Sequence, residues 1–487
     1  MTGFTHLDTP IMAKIYCAAV DLGATSGRVI LGTWSRDRLD LKEVHRFPNA
    51  FRSVGSHDYW EIGSLWNEIR TGLAKAVEAL PKGASIASVG VDTWGVDHVL
   101  VNDAGRIVFP VHAYRDSRTQ RGLQRLARTP AALERIYAAT GIPNVFYNAS
   151  LQLEETIASC PAVTDLASRC LFLPDYFNYL LSGKMENELT IASTSQLLDV
   201  NSTDWSQAAL KHFHIPPSWF SKPVLAGAKL GLVKGQPGLE GAKVIAVPGH
   251  DTACAYDAMP AAPDGSDLFL SSGTWSLVGC ESDKPVLGPE ALKAHVANER
   301  IGDGRYRPLT NVIGFWLLEG VMKDFAKRPR TDAEWKALMA AAAKAPAPKQ
   351  LLDVSDPAFA NPTSMRAAID DHLRKHKATP PKVLAGYMRL ITDSLGKGHA
   401  DCMRSLSRMT GKQFKRILIV GGGSKNGLMC QATADAAGLP VVSFNLEGTA
   451  VGNIARQLIA LGEVKDLASF RASLARRLEK LTYTPRA

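Results

Sequence analysis

The chain has 487 residues, 46% hydrophobic and 21% charged, with a net charge of +9. That length exceeds one ordinary core and fits two or three domains of a soluble globular protein. Dispersed Lys and Arg without aromatic interleaving argue against nucleic-acid binding, no apolar run nears the ~20 residues of a membrane span, and seven cysteines without metal-ligand spacing read as reduced thiols of a cytoplasmic protein.

Residues 1–14 lack the basic start and apolar core of a signal peptide and read as a disordered lead-in, with Met12 as an alternative start. Tyr16–Val20 and Val29–Leu31 are two short apolar runs of buried-strand length. Between them lies Asp21-Leu22-Gly23-Ala24-Thr25-Ser26-Gly27-Arg28. Glycine lets backbone approach a ligand, and successive N–H groups form an anion nest. Thr25 and Ser26 donate hydroxyls, Arg28 suits phosphate oxygens, and Asp21 suits a divalent ion on polyphosphate. An ordinary hairpin with a Gly-rich turn explains the same residues.

Trp60–Leu80 has helical apolar spacing, stopped by Pro81-Lys82-Gly83. Ile86–Val91 reads as a buried strand with Asp92-Thr93-Trp94-Gly95 at its carboxyl end, where open α/β sheets bind ligands. Val99–Val101 and Ile107–Phe109 flank a hairpin turn, and Arg121–Thr140 and Gln152–Ser159 read as helices. Cys170–Asp175 reads as a strand entering a loop, and Tyr176–Leu181 as a short helix. The polar run Ser193–Gln196 is expected to cover a cleft. Val244–Val247 delivers Gly249-His250-Asp251-Thr252, an acid at a helix start.

Ala261–Ser266 has the best linker composition, which sets the domains at residues 15–256 and 257–487. Leu268–Gly279 repeats the first hairpin, with Ser272-Gly273-Thr274 at its turn. Asn311–Phe325, Ala333–Ala345 and Lys382–Met409 read as helices. Ile417–Val420 runs into Gly421-Gly422-Gly423-Ser424, with helix-like Gly427–Ala437 after it. The spacing to Asn426 is not the G-x-G-x-x-G of a dinucleotide fold. Leu439–Phe444 and Val451–Leu461 read as strand and helix.

In combination these motifs resemble the FGGY carbohydrate kinases of the actin/hexokinase/Hsp70 superfamily. The likeness rests on Asp21–Arg28, His45–Asn49, Asp92–Asp97, Tyr114–Thr119, Pro248–Thr252, Ser272–Ser276, Asn311–Leu318 and Gly421–Ser424, and runs from about Ile15 to about Phe470. It implies an α/β fold of two actin-like, ribonuclease H-like lobes, with Asp21, Asp251 and Thr274 lining the cleft. It further implies a monomer or homodimer that uses ATP and Mg²⁺ to phosphorylate a ketose. L-rhamnulose comes first, with L-fuculose, ribulose or xylulose as alternatives.

By the same resemblance Asp251 is the general base, and Trp94, Gly95, Asp97, His250, Thr252 and Asn311 contact sugar. Ala24, Thr25, Ser26, Gly27, Arg28, Thr274, Gly422 and Gly423 contact ATP, and Asp21 holds Mg²⁺. Glu319 stands at a nucleotide-contacting place where the resembled pattern has glutamine. A carboxylate cannot donate as an amide does, and it adds negative charge beside ATP.

From the residues alone, Asp251 is equally a helix cap, and core packing is the second reading of Trp94. Arg115 and Asp116 read as a salt-bridged strut around the pocket. A chaperone or filament protein of the actin/Hsp70 kind shares hairpins and lobes, but it has no use for the Asp92–Asp97 and Gly249–Thr252 stretches.

Overall fold

Strand β1 (Ile15–Leu22) is apolar on both faces, as a strand covered from both sides must be. Tyr16, Ala18, Val20 and Leu22 enter one core, Cys17 and Ala19 another. The computed structural model describes residues 14–360, 362–444 and 446–486. Of the expected lead-in only Lys14 falls within them, and Met12 lies outside.

β1 pairs antiparallel with β2 (Ser26–Ser35), which pairs with β3 (Arg38–Pro48). On its other edge β1 runs parallel to β4 (Ile86–Thr93). With β5 (Lys229–Leu232) and β6 (Lys243–Ile245) they form a six-stranded sheet, order β3-β2-β1-β4-β6-β5. A second, seven-stranded sheet holds β7 (Asp267–Ser272), β8 (Trp275–Gly279), β9 (Ala297–Arg300), β10 (Tyr306–Ile313), β11 (Arg416–Val420), β12 (Val441–Phe444) and β13 (Lys480–Tyr483), order β9-β10-β8-β7-β11-β12-β13. Each sheet centres on a hairpin strand followed by two parallel strands: β1, β4, β6 in one and β7, β11, β12 in the other.

Helices fill three layers. α1 (Ile62–Glu78) and α2 (Leu173–Ser182) cover the outer face of the first sheet. α3 (Asp251–Ala258) packs Ala255 and Tyr256 against Phe269 and Leu418 of the second sheet. α4 (Trp316–Asp324), α5 (Leu384–Thr410) and α6 (Gly427–Ala437) cover that sheet's far face. α7 (Gly448–Leu461) packs Ala450, Ile454 and Leu458 on Cys17, Ala19 and Ile30 of the first sheet. α3 and α7 cross closely: a Cβ on Gly452 would lie 1.8 Å from the Cys254 carbonyl oxygen.

Several elements differ from the sequence reading. Asn311–Ile313 ends strand β10, and only after Gly314 does α4 begin, so Asn311 is not on a long helix. Arg121–Thr140 is two helices, Gln120–Ala127 and Pro130–Thr140, because Pro130 opens the second. His98–Val101 pairs with Arg169–Phe172, and the expected hairpin reduces to one bridge, Val101 to Ile107. Ser193–Gln196 is buried, with Thr194 lining the pocket between the sheets and the Ser193 hydroxyl accepting from the Arg300 amide. Tyr256 lies inside α3 and is buried, with the turn-rich 261–266 stretch beyond it. All seven cysteines are unpaired. Among the described residues no helix is long and apolar enough to cross a membrane.

Candidate active site

Three tight turns sit at the carboxyl ends of β1, β7 and β11. In the first, the Gly23 amide donates to the Ser26 carbonyl at 3.0 Å and the Asn49 side chain donates to the Gly23 carbonyl at 2.8 Å, which sets Ala24, Thr25 and Ser26 at the tip. Gly27 is glycine for space, since a Cβ would lie 2.3 Å from the Phe47 ring. Arg28 turns back: its Nε donates to Asp21 Oδ2 at 2.8 Å and its Nη1 to Glu447 Oε2 at 2.5 Å. Burial pushes the Asp21 carboxyl up, Arg28 pulls it back, and the nearby Asp251 charge raises it further.

In the second turn, the Gly314 and Trp316 amides both donate to the Thr274 carbonyl, at 3.1 and 3.2 Å. In the third, Gly421 has φ +85°, and a Cβ there would meet the Ser272 carbonyl oxygen at 2.6 Å. A Cβ on Gly423 would lie 2.2 Å from Ser272 Oγ, so these two glycines permit the packing of β11 on β7. Gly422, between them, faces open space. Glu319, on α4, is held by Arg328, whose Nε and Nη2 each donate to it at 3.0 Å. That pairing offsets the negative charge the sequence placed there.

Between the two sheets lies a pocket of about 230 Å³. Trp94, Gly95, His250, Asp251, Thr252 and Asn311 all line it. Val96 beside them has φ +69°, a strained value for a β-branched residue, and donates its amide to Thr194 Oγ1 at 3.1 Å. Asp251 opens α3, yet no side chain caps that helix. Its Oδ1 accepts from Thr252 Oγ1 at 3.0 Å and lies 3.4 Å from His250 Nε2, while Oδ2 receives no hydrogen bond among the described residues. Asn311 Nδ2 donates to the Tyr147 hydroxyl at 3.3 Å.

Asp97 does not line this pocket. Its carboxylate accepts from Trp60 Nε1 at 2.6 Å, Trp94 Nε1 at 2.8 Å, Gln152 Nε2 at 3.2 Å and the Tyr114 amide at 3.2 Å. Burial pushes its pKa up to about 6, against the pull of those donors. Expected to accept sugar hydroxyls, Asp97 instead fixes Trp94 from behind. Arg115 and Asp116 do not pair: Arg115 donates to the Tyr114 hydroxyl, and Asp116 accepts from the Asp58 and Arg118 amides.

Among the described residues no group of three or more His, Cys, Asp or Glu is placed to hold a metal ion. The oxygen donors here, Asp21 close to Asp251, suit Mg²⁺ carried in by a polyphosphate.

Residues 16–256 match the N-terminal domain of the FGGY family of carbohydrate kinases, and residues 268–461 its C-terminal domain. This chain belongs to the FGGY carbohydrate kinases. It is 39% identical over 477 residues to the rhamnulokinase of Klebsiella pneumoniae subsp. pneumoniae, covering 97% of this chain and 95% of that one. In fold this carbohydrate kinase is similar to Plasmodium falciparum glycerol kinase with ADP, at TM-score 0.79 and 14% identity over 97% of this chain and 94% of that one. A xylulose kinase from Rhodospirillum rubrum matches at TM-score 0.78 and 19% identity, over 97% and 94%. The two-lobed α/β architecture is therefore that of the actin-like ATPases, and the family's substrates are a sugar and ATP.

The carbohydrate kinase's pocket also contains residues the motifs did not mark. Tyr147 comes from the loop before helix Ala149–Ser159, and Glu299 from β9. Glu299 Oε2 lies 3.1 Å from His250 Nδ1 and pairs with the fully buried Arg307. Neither has a glycine-rich or strand-end signature, so no local signal was present to find them.

Proposed function

We propose that this kinase transfers the terminal phosphoryl group of ATP to L-rhamnulose, giving L-rhamnulose 1-phosphate, with Asp251 as general base. The observation that carries this reading is the free Oδ2 of Asp251 in the inter-sheet pocket. The identity to a relative named rhamnulokinase supports the choice of sugar.

Phosphoryl transfer asks for in-line positioning, charge neutralisation and a proton acceptor. As the ketose oxygen attacks the terminal phosphorus, the bond to the ADP oxygen breaks and the hydroxyl proton passes to Asp251. Trp94 offers an apolar face to the sugar, Gly95 leaves backbone room, and His250, Thr252 and Asn311 supply polar contacts. The turn Ala24–Arg28, Thr274, Gly422 and Gly423 would receive the nucleotide, with Glu319 near its outer part. Asp21 would hold the Mg²⁺ that arrives with ATP, which supplies charge neutralisation on the phosphates. In this reading the lobe of residues 15–256 carries the base and the first phosphate turn, and the lobe of 257–487 carries Thr274, Glu319, Gly422 and Gly423 of the nucleotide site.

The test is a coupled kinase assay across 6-deoxyketohexoses, ketohexoses and pentuloses, with the product's phosphorylated position read by phosphorus NMR. L-rhamnulose is expected to show the highest kcat/KM. A pentulose preferred by a wide margin would replace the sugar assignment, and no turnover of any ketose would remove the reading.

A further inference from the structure

The second sheet sends a second carboxylate into the pocket that Asp251 lines. Glu299 on β9 stands directly across from Arg307 on β10. Its Oε2 accepts from the Arg307 guanidinium and lies 3.1 Å from His250 Nδ1. Its Oε1 receives no hydrogen bond among the described residues, and Glu299 lines the same pocket as Asp251 and Asn311.

A buried carboxylate stays ionised only when paired and hydrogen-bonded. Burial raises the Glu299 pKa, but Arg307 and then His250 outweigh it and hold the group at about 2. So weak a base does not take a proton from an alcohol at neutral pH, whereas its oxygen still accepts a strong hydrogen bond from one. Two carboxylates thus flank one pocket in different circumstances: Asp251 with an oxygen free of partners, Glu299 clamped from behind by a guanidinium.

We propose that Glu299 is a substrate-binding residue, its Oε1 accepting a hydrogen bond from a ketose hydroxyl other than the one that reacts. The assignment rests on the ketose-kinase reading above. It makes the sugar site incomplete without the second lobe, because the acceptor is carried on β9 while Asp251 follows β6 of the first sheet. A ketose bound between them would tie the two sheets together.

The test measures L-rhamnulose binding by calorimetry without nucleotide, and KM for ketose and for ATP at steady state. In Glu299→Gln, which keeps size but loses the charge, ketose Kd and KM are expected to rise roughly 10- to 100-fold while KM for ATP stays within about twofold. Because this variant leaves Arg307 unpaired, Glu299→Gln/Arg307→Met removes both charges and is expected to fold and show the same ketose loss. A ketose lacking the contacted hydroxyl should bind wild type and variants alike.

Unchanged ketose affinity in either folded variant overturns the assignment, as does a parallel loss for ketose and ATP, which marks a purely structural role. Wild-type ketose turnover with an unaffected Glu299→Gln removes Glu299 alone. Absence of any ketose turnover in wild type removes the kinase reading, and Glu299's role falls with it.

Discussion

At the scale of single residues, Asp251 is where cap and base part company. The helix it opens has no side-chain cap, and its Oδ2 is free in the pocket. Asp251→Asn keeps size and capping capacity but cannot take a proton. Turnover at saturating ketose is expected to fall roughly 10²- to 10⁴-fold with the melting temperature unchanged; near-normal turnover would leave only a structural role.

Glu299 gives a pH-dependent expectation. Its folded pKa, about 2, lies below that of an unfolded glutamate, so its stabilisation is complete above the unfolded value and is lost as pH falls toward 2. The groups facing it are Arg307, His250 and the Tyr147 and Tyr256 phenols. Glu299→Gln should therefore lower stability by ~3 kcal/mol near pH 7, the range for breaking a buried pair, and the gap to wild type should narrow below about pH 4. Chemical denaturation of both proteins from pH 3 to 7 checks this. A gap that widens on acidification would contradict it.

At the scale of elements, the glycine-rich turn after β11 separates packing from ligand room. Gly423 lies against the Ser272 side chain, whereas Gly422 has open space where a Cβ would go. Gly423→Ala is expected to cost ~1–3 kcal/mol through overpacking. Gly422→Ala should leave the melting temperature nearly alone but raise KM for ATP, since the added methyl enters the proposed nucleotide space. Equal melting temperatures for the two variants would sink this division of labour.

The same scale shows how far elements could be read. The strands β1, β7 and β11 were legible because burial on both faces leaves uninterrupted apolar runs. The stretch from Asn311 was misread because four apolar residues after Gly314 resemble a helix face, and nothing local shows that Asn311, Val312 and Ile313 are already paired with Leu277, Ser276 and Trp275.

At the scale of the whole molecule, the pocket is assembled from both sheets, with α3 and α7 crossing between them. Ligands that touch both sides favour closure, which also excludes water that would otherwise accept the phosphoryl group. Small-angle scattering with L-rhamnulose and a non-hydrolysable ATP analogue is expected to show a smaller radius of gyration than the free protein. No change at saturating ligand would argue for a fixed cleft.

What the sequence determined by itself were features whose physics is local: strands apolar on both faces, glycines at tight turns, an acid at a helix start. Each needs only its immediate neighbours along the chain. What only the tertiary structure decided was which polar group meets which. Asp97 is drawn out of the sugar contacts by Trp60, Gln152 and Trp94, two of them 37 and 55 residues away. Arg28 is claimed by Glu447, 419 residues on, and Glu299 reaches His250 across 49. Such pairings follow from sheet register and from the packing of one layer on another. A buried charge must find its partner in that three-dimensional set, whatever stands beside it in the chain.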